Sequence, residues 1–175
     1  MGTTALVSVE EYLRTSYTDG DREYLDGLVV ERNVGETWHS RVQGLIGAWL
    51  MVHYPQFWSG PECRVRISSS RYRIPDITVV TGKRPAKYGH GPLMTPPFLV
   101  IEVLSPDDRP GDMQKKIADY RACGVSYIWV ADPIAGTGEI YTATGNYAAS
   151  DGVLRTENPV IEVPLAALLE GEPES

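Results

Sequence analysis

With only two cysteines in 175 residues, the chain has no means of building a disulfide-stapled scaffold. Cys63 and Cys123 are far apart and stand in no metal-ligand spacing, so no zinc cluster is encoded and two reduced thiols fit better than one bridge. No apolar run approaches the roughly 20 residues needed to cross a bilayer. No basic-then-apolar leader is present, so the expected setting is the cytoplasm, away from membranes. A phosphate-cradling glycine loop, a nucleophile elbow, internal repeats and low-complexity tracts are also missing. So is an excess of positive charge: 16 Lys and Arg face 23 Asp and Glu, for a net charge of −7. Unspecific duplex binding is driven by phosphate neutralisation and leaves a basic footprint, which this chain lacks globally.

What remains is the composition of an ordinary globular protein, 42% hydrophobic and 22% charged, long enough to bury a core as one domain. We expect that domain over residues 1–170, with a frayed tail at 171–175. Charge is unevenly spread. Between Cys63 and Ile101 the single acid is Asp76, beside Arg64, Arg66, Arg71, Arg73, Lys83, Arg84 and Lys87. This is either a basic face around one carboxylate or a set of outward side chains on amphipathic strands.

Ser8 followed by Glu11 is a capping-box pattern that starts a short helix through Leu13. The dipeptide Asp26-Gly27 between Glu23-Tyr24-Leu25 and Leu28-Val29-Val30 predicts a hairpin. From Glu36 to Tyr54, Trp38, Val42, Leu45, Ile46, Trp49 and Val52 recur at helical spacing, closed by Pro55. Strands are predicted over Phe57–Ile67, Tyr72–Val80 and Phe98–Leu104, with a Gly- and Pro-rich loop from Gly82 to Pro97. A helix over Asp112–Ala122 ends at Gly124, and the β-branched run Val125–Val130 is a buried strand. Further strands are predicted at Glu139–Thr142 and within Tyr147–Val163, bent at Asp151-Gly152, before a terminal helix over Pro164–Leu169. A strand, a crossover helix and a strand imply a parallel pair, so the fold class is α/β, in the mixed α+β sense.

Three residues stand out chemically. In Phe98–Leu104, alternation sets Phe98, Val100, Glu102 and Leu104 on one face. A carboxylate inside so apolar a run needs a cation, a proton or a metal as partner. Pro75 cannot donate to a ladder and belongs at a strand start, which puts Asp76 at the head of the next apolar run. Two carboxylates at adjacent strand starts suit one hard divalent cation bound through oxygen. In the following helix Met113, Ile117 and Tyr120 share the sheet-facing side. Lys116 borders that side and Lys115 points away, so Lys116 is placed to run its stem along the sheet toward the carboxylates. Glu23 reads as an exposed strand glutamate or a further site residue. His39 reads as a hydrogen-bonded structural histidine or a site residue.

Glu23-Tyr-Leu-Asp-Gly27, His39 in its helix, Pro75-Asp76, Val100-Ile-Glu-Val-Leu-Ser-Pro106 and Lys116-Ile-Ala-Asp-Tyr120 run on to Gly124-Val125, Tyr127-Ile-Trp-Val130 and Asp132-Pro133. In this order and spacing they resemble the Uma2 family, a bacterial group of the PD-(D/E)XK nuclease superfamily. The resemblance implies a core of helix, three strands, helix and strand, with the hairpin in front and extra strands behind. It implies Asp76 and Glu102 as metal ligands, and it touches Glu23 and His39. One position departs: the superfamily lysine two residues after the acid is here Leu104, and Lys116 on the next helix takes its place.

The activity so implied is Mg²⁺- or Mn²⁺-dependent hydrolysis of phosphodiester bonds in nucleic acid, DNA in the first instance. Asp76, Glu102 and the carbonyl of Val103 would hold the metal, Lys116 would assist, and Arg64, Arg66, Arg71 and Arg73 would contact phosphates. A homodimer would let such an enzyme cut both strands, and Tyr and Trp are available for its interface. The acidic balance and Leu104 fit a rival reading, a protein that keeps the fold but only binds. A hydrolase of small phosphorylated substrates is a third.

Overall fold

The computed structural model describes residues 6–17, 21–32, 37–86 and 91–171. Helix α1 (Val9–Arg14) is capped by Ser8, whose Oγ accepts the Glu11 N–H at 3.1 Å, as the capping pattern predicts. Strands β1 (Glu23–Leu25) and β2 (Leu28–Val30) form the expected hairpin. Asp26 and Gly27 both adopt positive φ, 52° and 97°, the conformation a tight hairpin turn of this hand requires.

Helix α2 (Thr37–His53) lies across one face of the main sheet. Its buried stripe is Val42, Ile46 and Leu50, whereas Trp38 and Val52 are exposed, so the apolar recurrence in sequence is wider than the face that packs. Glu36, the expected first residue, lies outside the described residues, as does Lys87.

Two expected strands are each split in two. Phe57–Ile67 becomes β3 (Trp58–Pro61) and β4 (Val65–Ser68). Tyr72–Val80 becomes β5 (Arg71–Arg73) and β6 (Ile77–Val80). In each pair the halves belong to different sheets. The break after β3 follows Pro61 and falls at Glu62, which has φ 51°. The break before β6 falls at Ile74-Pro75-Asp76. Pro75 has no N–H for a ladder, and the Ile74 N–H goes to the Glu23 carboxylate at 3.1 Å instead.

Strand β7 (Leu99–Val103), helix α3 (Pro110–Cys123) and strand β8 (Tyr127–Asp132) follow. Pro110 opens α3, where its missing N–H costs nothing, and Gly124 closes it with φ 95°. Beyond them come β9 (Thr137–Tyr141), β10 (Asn146–Ala148), the hairpin of β11 (Val153–Thr156) and β12 (Ile161–Pro164), and α4 (Leu165–Glu170).

A small sheet runs β2-β1-β5-β4. The main sheet runs β10-β9-β8-β7-β6-β3 and is antiparallel except for β7 and β8. The molecule is therefore mixed α+β with several sheets. On one face of the main sheet α2 packs over Ile77, Val79, Leu99, Ile101, Val103 and Trp129. On the other, Met113, Ile117 and Tyr120 of α3 pack over Val100, Ile128 and Val130. The alternation predicted for β7 thus holds within the strand, while Phe98, just before it, packs with the first cluster. Residues 161–164 pair back with 153–156 in a separate two-stranded sheet, so the strands expected within Tyr147–Val163 are divided between two sheets.

Candidate active site

Because β6 and β7 are antiparallel, with Ile77 opposite Ile101, the residue before β6 meets the end of β7. The expectation of two adjacent strand starts is corrected in this respect: Asp76 stands at a start and Glu102 near an end. Both are almost fully buried, 3% and 1% exposed. They line one cleft of about 740 Å³ together with Glu23, Arg32, His39, Val103, Ser105, Arg109 and Lys116.

Every oxygen of the two carboxylates has a partner. Asp76 Oδ2 accepts the Val103 N–H at 2.8 Å, Arg32 Nη2 donates to Oδ1 at 2.9 Å, and His39 Nε2 lies 3.3 Å from the same oxygen. Glu102 Oε2 accepts from Lys116 Nζ at 2.7 Å and Oε1 from the Tyr120 hydroxyl at 2.6 Å. The partner that Glu102 demanded in sequence is therefore a lysine and a tyrosine one helical turn apart.

Burial pushes Asp76 toward the neutral form, but hydrogen bonding from His39, its charge and the Val103 N–H outweigh this and lower its pKa. For Glu102 burial wins over Lys116, and the nearby Asp76 adds to the effect, so its pKa is raised. The hydrogen bond to Asp76 raises the pKa of His39 against the cost of burial. Lys116 is held in its charged form by Glu102, Glu23 and Asp76 despite burial.

Glu23 is buried rather than exposed. It accepts from Arg73 Nη1 at 2.5 Å, and Arg73 reaches Asp119 of α3 at 2.7 Å on its other side. Arg73 is thus enclosed between two carboxylates, where the expectation was a contact to phosphate. Of the four arginines it alone lines the cleft. Arg71 binds Asp26 and Asp119. Arg64 pairs with Asp21 at 2.5 Å and lies over the Tyr12 ring. Arg66 donates to the Ser68 carbonyl at 3.3 Å. Three of these four arginines, Arg64, Arg71 and Arg73, are paired with acids distant in sequence, which a local charge count does not see.

Sequence reasoning missed Arg32, Ser105 and Tyr120 as site residues. Tyr120 carried a signal, its place four residues after Lys116 on the sheet-facing side. Arg32 carried none. Ser105 Oγ lies 2.9 Å from His39 Nδ1, which yields a serine-histidine-aspartate chain ending on Asp76. Acyl transfer also needs donors for an oxyanion. Here the Ser105 N–H is committed to Asp108 at 2.8 Å, and Pro106 has no N–H. The chain orients His39.

Among the described residues no group of three or more His, Cys, Asp or Glu side chains is arranged to hold a metal. Asp76, Glu102 and Val103 line the cleft beside further acids, among them Glu23, Glu62, Asp108 and Asp112. Mg²⁺ is bound through one or two carboxylates and completes its shell with water and substrate, and carboxylate oxygen is the donor chemistry that Asp76 and Glu102 offer.

The family described as "Putative restriction endonuclease", Uma2, matches residues 9–170. The chain belongs to the Uma2 family. The crystal structure of a putative nuclease belonging to DUF820 from Anabaena variabilis ATCC 29413 is similar in fold, with a TM-score of 0.76 at 20% identity, over 93% of this chain and 99% of that one. Comparison with curated proteins gives no match. Both cysteines of this Uma2 protein are free and half-buried, and no described helix is long and apolar enough to cross a membrane.

Proposed function

We propose that the protein is a divalent-metal-dependent endonuclease that hydrolyses phosphodiester bonds of DNA. The observation that carries this reading is the convergence of two buried carboxylates from neighbouring strands, with the ammonium of Lys116 beside them, on one open cleft. The order α2, then β3, β6 and β7, then α3 and β8 supports a restriction-endonuclease-like core around that cleft.

Asp76, Glu102 and the Val103 carbonyl would hold Mg²⁺ or Mn²⁺, which when bound supplies Lewis acidity and an acidified water. Lys116 would stabilise the negative charge that builds on the phosphate oxygens. It is partly buried, and in so confined a site one ammonium contributes more than it does in bulk water. Tyr120 fixes the other oxygen of Glu102 and so fixes the direction of its free lone pairs. In the reaction a water oxygen bonds to phosphorus, one ester P–O bond breaks, and the departing oxygen takes a proton. Arg109 and Lys115 line the cleft and replace Arg64, Arg66, Arg71 and Arg73 as the phosphate contacts in this reading. Pairing of two copies would place two such centres on opposite strands.

Mn²⁺ should raise the thermal midpoint of the wild-type protein, and Asp76→Asn should remove both that rise and cleavage of plasmid DNA. A folded wild-type protein whose midpoint is indifferent to Mn²⁺ would instead support the binding-module reading. That rival is favoured by one observation, that Arg32 and Lys116 already neutralise both carboxylates.

A further inference from the structure

Arg32 follows β2 and reaches into the cleft, its side chain 17% exposed. Its guanidinium forks. Nη2 donates to Asp76 Oδ1 at 2.9 Å, and Nη1 to Glu62 Oε1 at 3.2 Å. The two acceptors differ sharply, for the Asp76 side chain is 5% exposed and that of Glu62 is 56% exposed. The inner arm therefore neutralises a buried carboxylate, while the outer arm holds a second carboxylate at the surface.

Oδ1 is also the Asp76 oxygen most open to exchange. Oδ2 is tied to the backbone N–H of Val103 at the end of β7, and that bond is fixed by the sheet. Oδ1 is tied only to side chains, Arg32 and His39. A cation entering the cleft and bonding through Oδ1 meets Arg32 on the same atom, and two cations on one carboxylate oxygen repel. Glu62 offers Arg32 an anchor during such an exchange, so release of the inner arm does not leave the guanidinium unpaired.

We propose that Arg32 is an exchangeable counter-cation: it neutralises Asp76 in the metal-free protein and competes with the divalent ion for Oδ1. On release it pivots about Glu62 toward the mouth of the cleft, where an anionic phosphodiester would meet it. The inference rests on the metal site proposed above, and it assigns Arg32 a positioning role.

The test is calorimetric titration of Mn²⁺ into wild-type protein, Arg32→Gln, Asp76→Asn and Lys115→Gln, with circular dichroism to verify the fold. Lys115 lines the same cleft and pairs with Asp112, so its loss measures the general effect of removing one positive charge. Arg32→Gln should bind Mn²⁺ about tenfold more tightly than wild type, the size of one charge-assisted hydrogen bond, and clearly more tightly than Lys115→Gln. The metal-free Arg32→Gln protein should also melt lower than wild type. Equal gains in the two charge-loss variants, or unchanged or weaker binding by Arg32→Gln, overturn the proposal while leaving the metal site intact. Equal binding by wild type and Asp76→Asn overturns the metal site itself. If Arg32→Gln does not fold, Arg32→Lys decides. A point ammonium does not span both carboxylates, so Mn²⁺ binding should tighten, and unchanged binding overturns the proposal.

Discussion

Lys116 and Glu102 form a charge pair at the centre of the cleft, 2.7 Å apart, and they respond to pH in a direction that can be worked out. Glu102 is 1% exposed, and burial raises its pKa above the unfolded value even with Lys116 present. Lys116→Met leaves that carboxylate with Tyr120 alone and should cost about 3 kcal/mol near neutral pH. A carboxyl group whose folded pKa is raised contributes most below its unfolded pKa, and that contribution is lost as pH rises through the folded value. The deficit of Lys116→Met should therefore shrink on acidification as Glu102 takes up a proton. Urea unfolding at about pH 7.5 and about pH 4.5, in chelator, checks the sign. A deficit that is equal at both pH values would mean that Glu102 is not the group left uncompensated.

At this scale the sequence was informative where a residue contradicts its surroundings. An aspartate after proline at a strand start and a glutamate in an apolar strand are both expensive to bury alone. That expense is visible without a structure. Arg32 was invisible because its partner, Asp76, is 44 residues away and an arginine near a hairpin contradicts nothing. Glu23 stayed open between an exposed strand residue and a site residue for the same reason, its cation Arg73 being 50 residues distant.

Between elements, the buried assembly of Glu23, Arg73 and Asp119 clamps β1 and β5 of the small sheet to α3. Its arginine is 7% exposed at the side chain. Arg73→Met should leave two buried carboxylates without a cation and destabilise the fold by about 3–5 kcal/mol. Chemical denaturation would measure the loss. Since Glu23 lines the cleft beside Lys116, Mn²⁺ binding should weaken with it. The elements themselves were legible wherever one period ruled a stretch, as in α3 and β7. They were misread where the chain leaves one sheet for another without a change of hydrophobic pattern. Two such crossings, after β3 and before β6, are marked only by a proline and a neighbouring residue whose backbone has left the ladder.

For the whole molecule, the net charge of −7 sets a condition on the proposed activity. Without a basic footprint, phosphate neutralisation must come from a few cleft cations and the metal. Duplex DNA should therefore fail to bind in chelator at roughly physiological salt and bind once Ca²⁺ or Mn²⁺ is present. Gel retardation with Asp76→Asn as control reads this out. Strong retardation in chelator would point to a basic surface elsewhere. This global feature was fully legible in composition, whereas the neutralisation of the local basic run by Asp21, Asp26, Glu23 and Asp119 was not.

The antiparallel meeting of β6 and β7 has one more consequence, for the engineer. The stretch joining these strands leaves the end of β6 and enters the start of β7, the opposite end of both strands from Asp76 and Glu102. A reporter peptide grafted after Lys83, which is exposed, would sit at the far end of these strands from the cleft. Two residues 26 positions apart in the chain are thus coupled through the register of two strands and insulated from the length of what connects them.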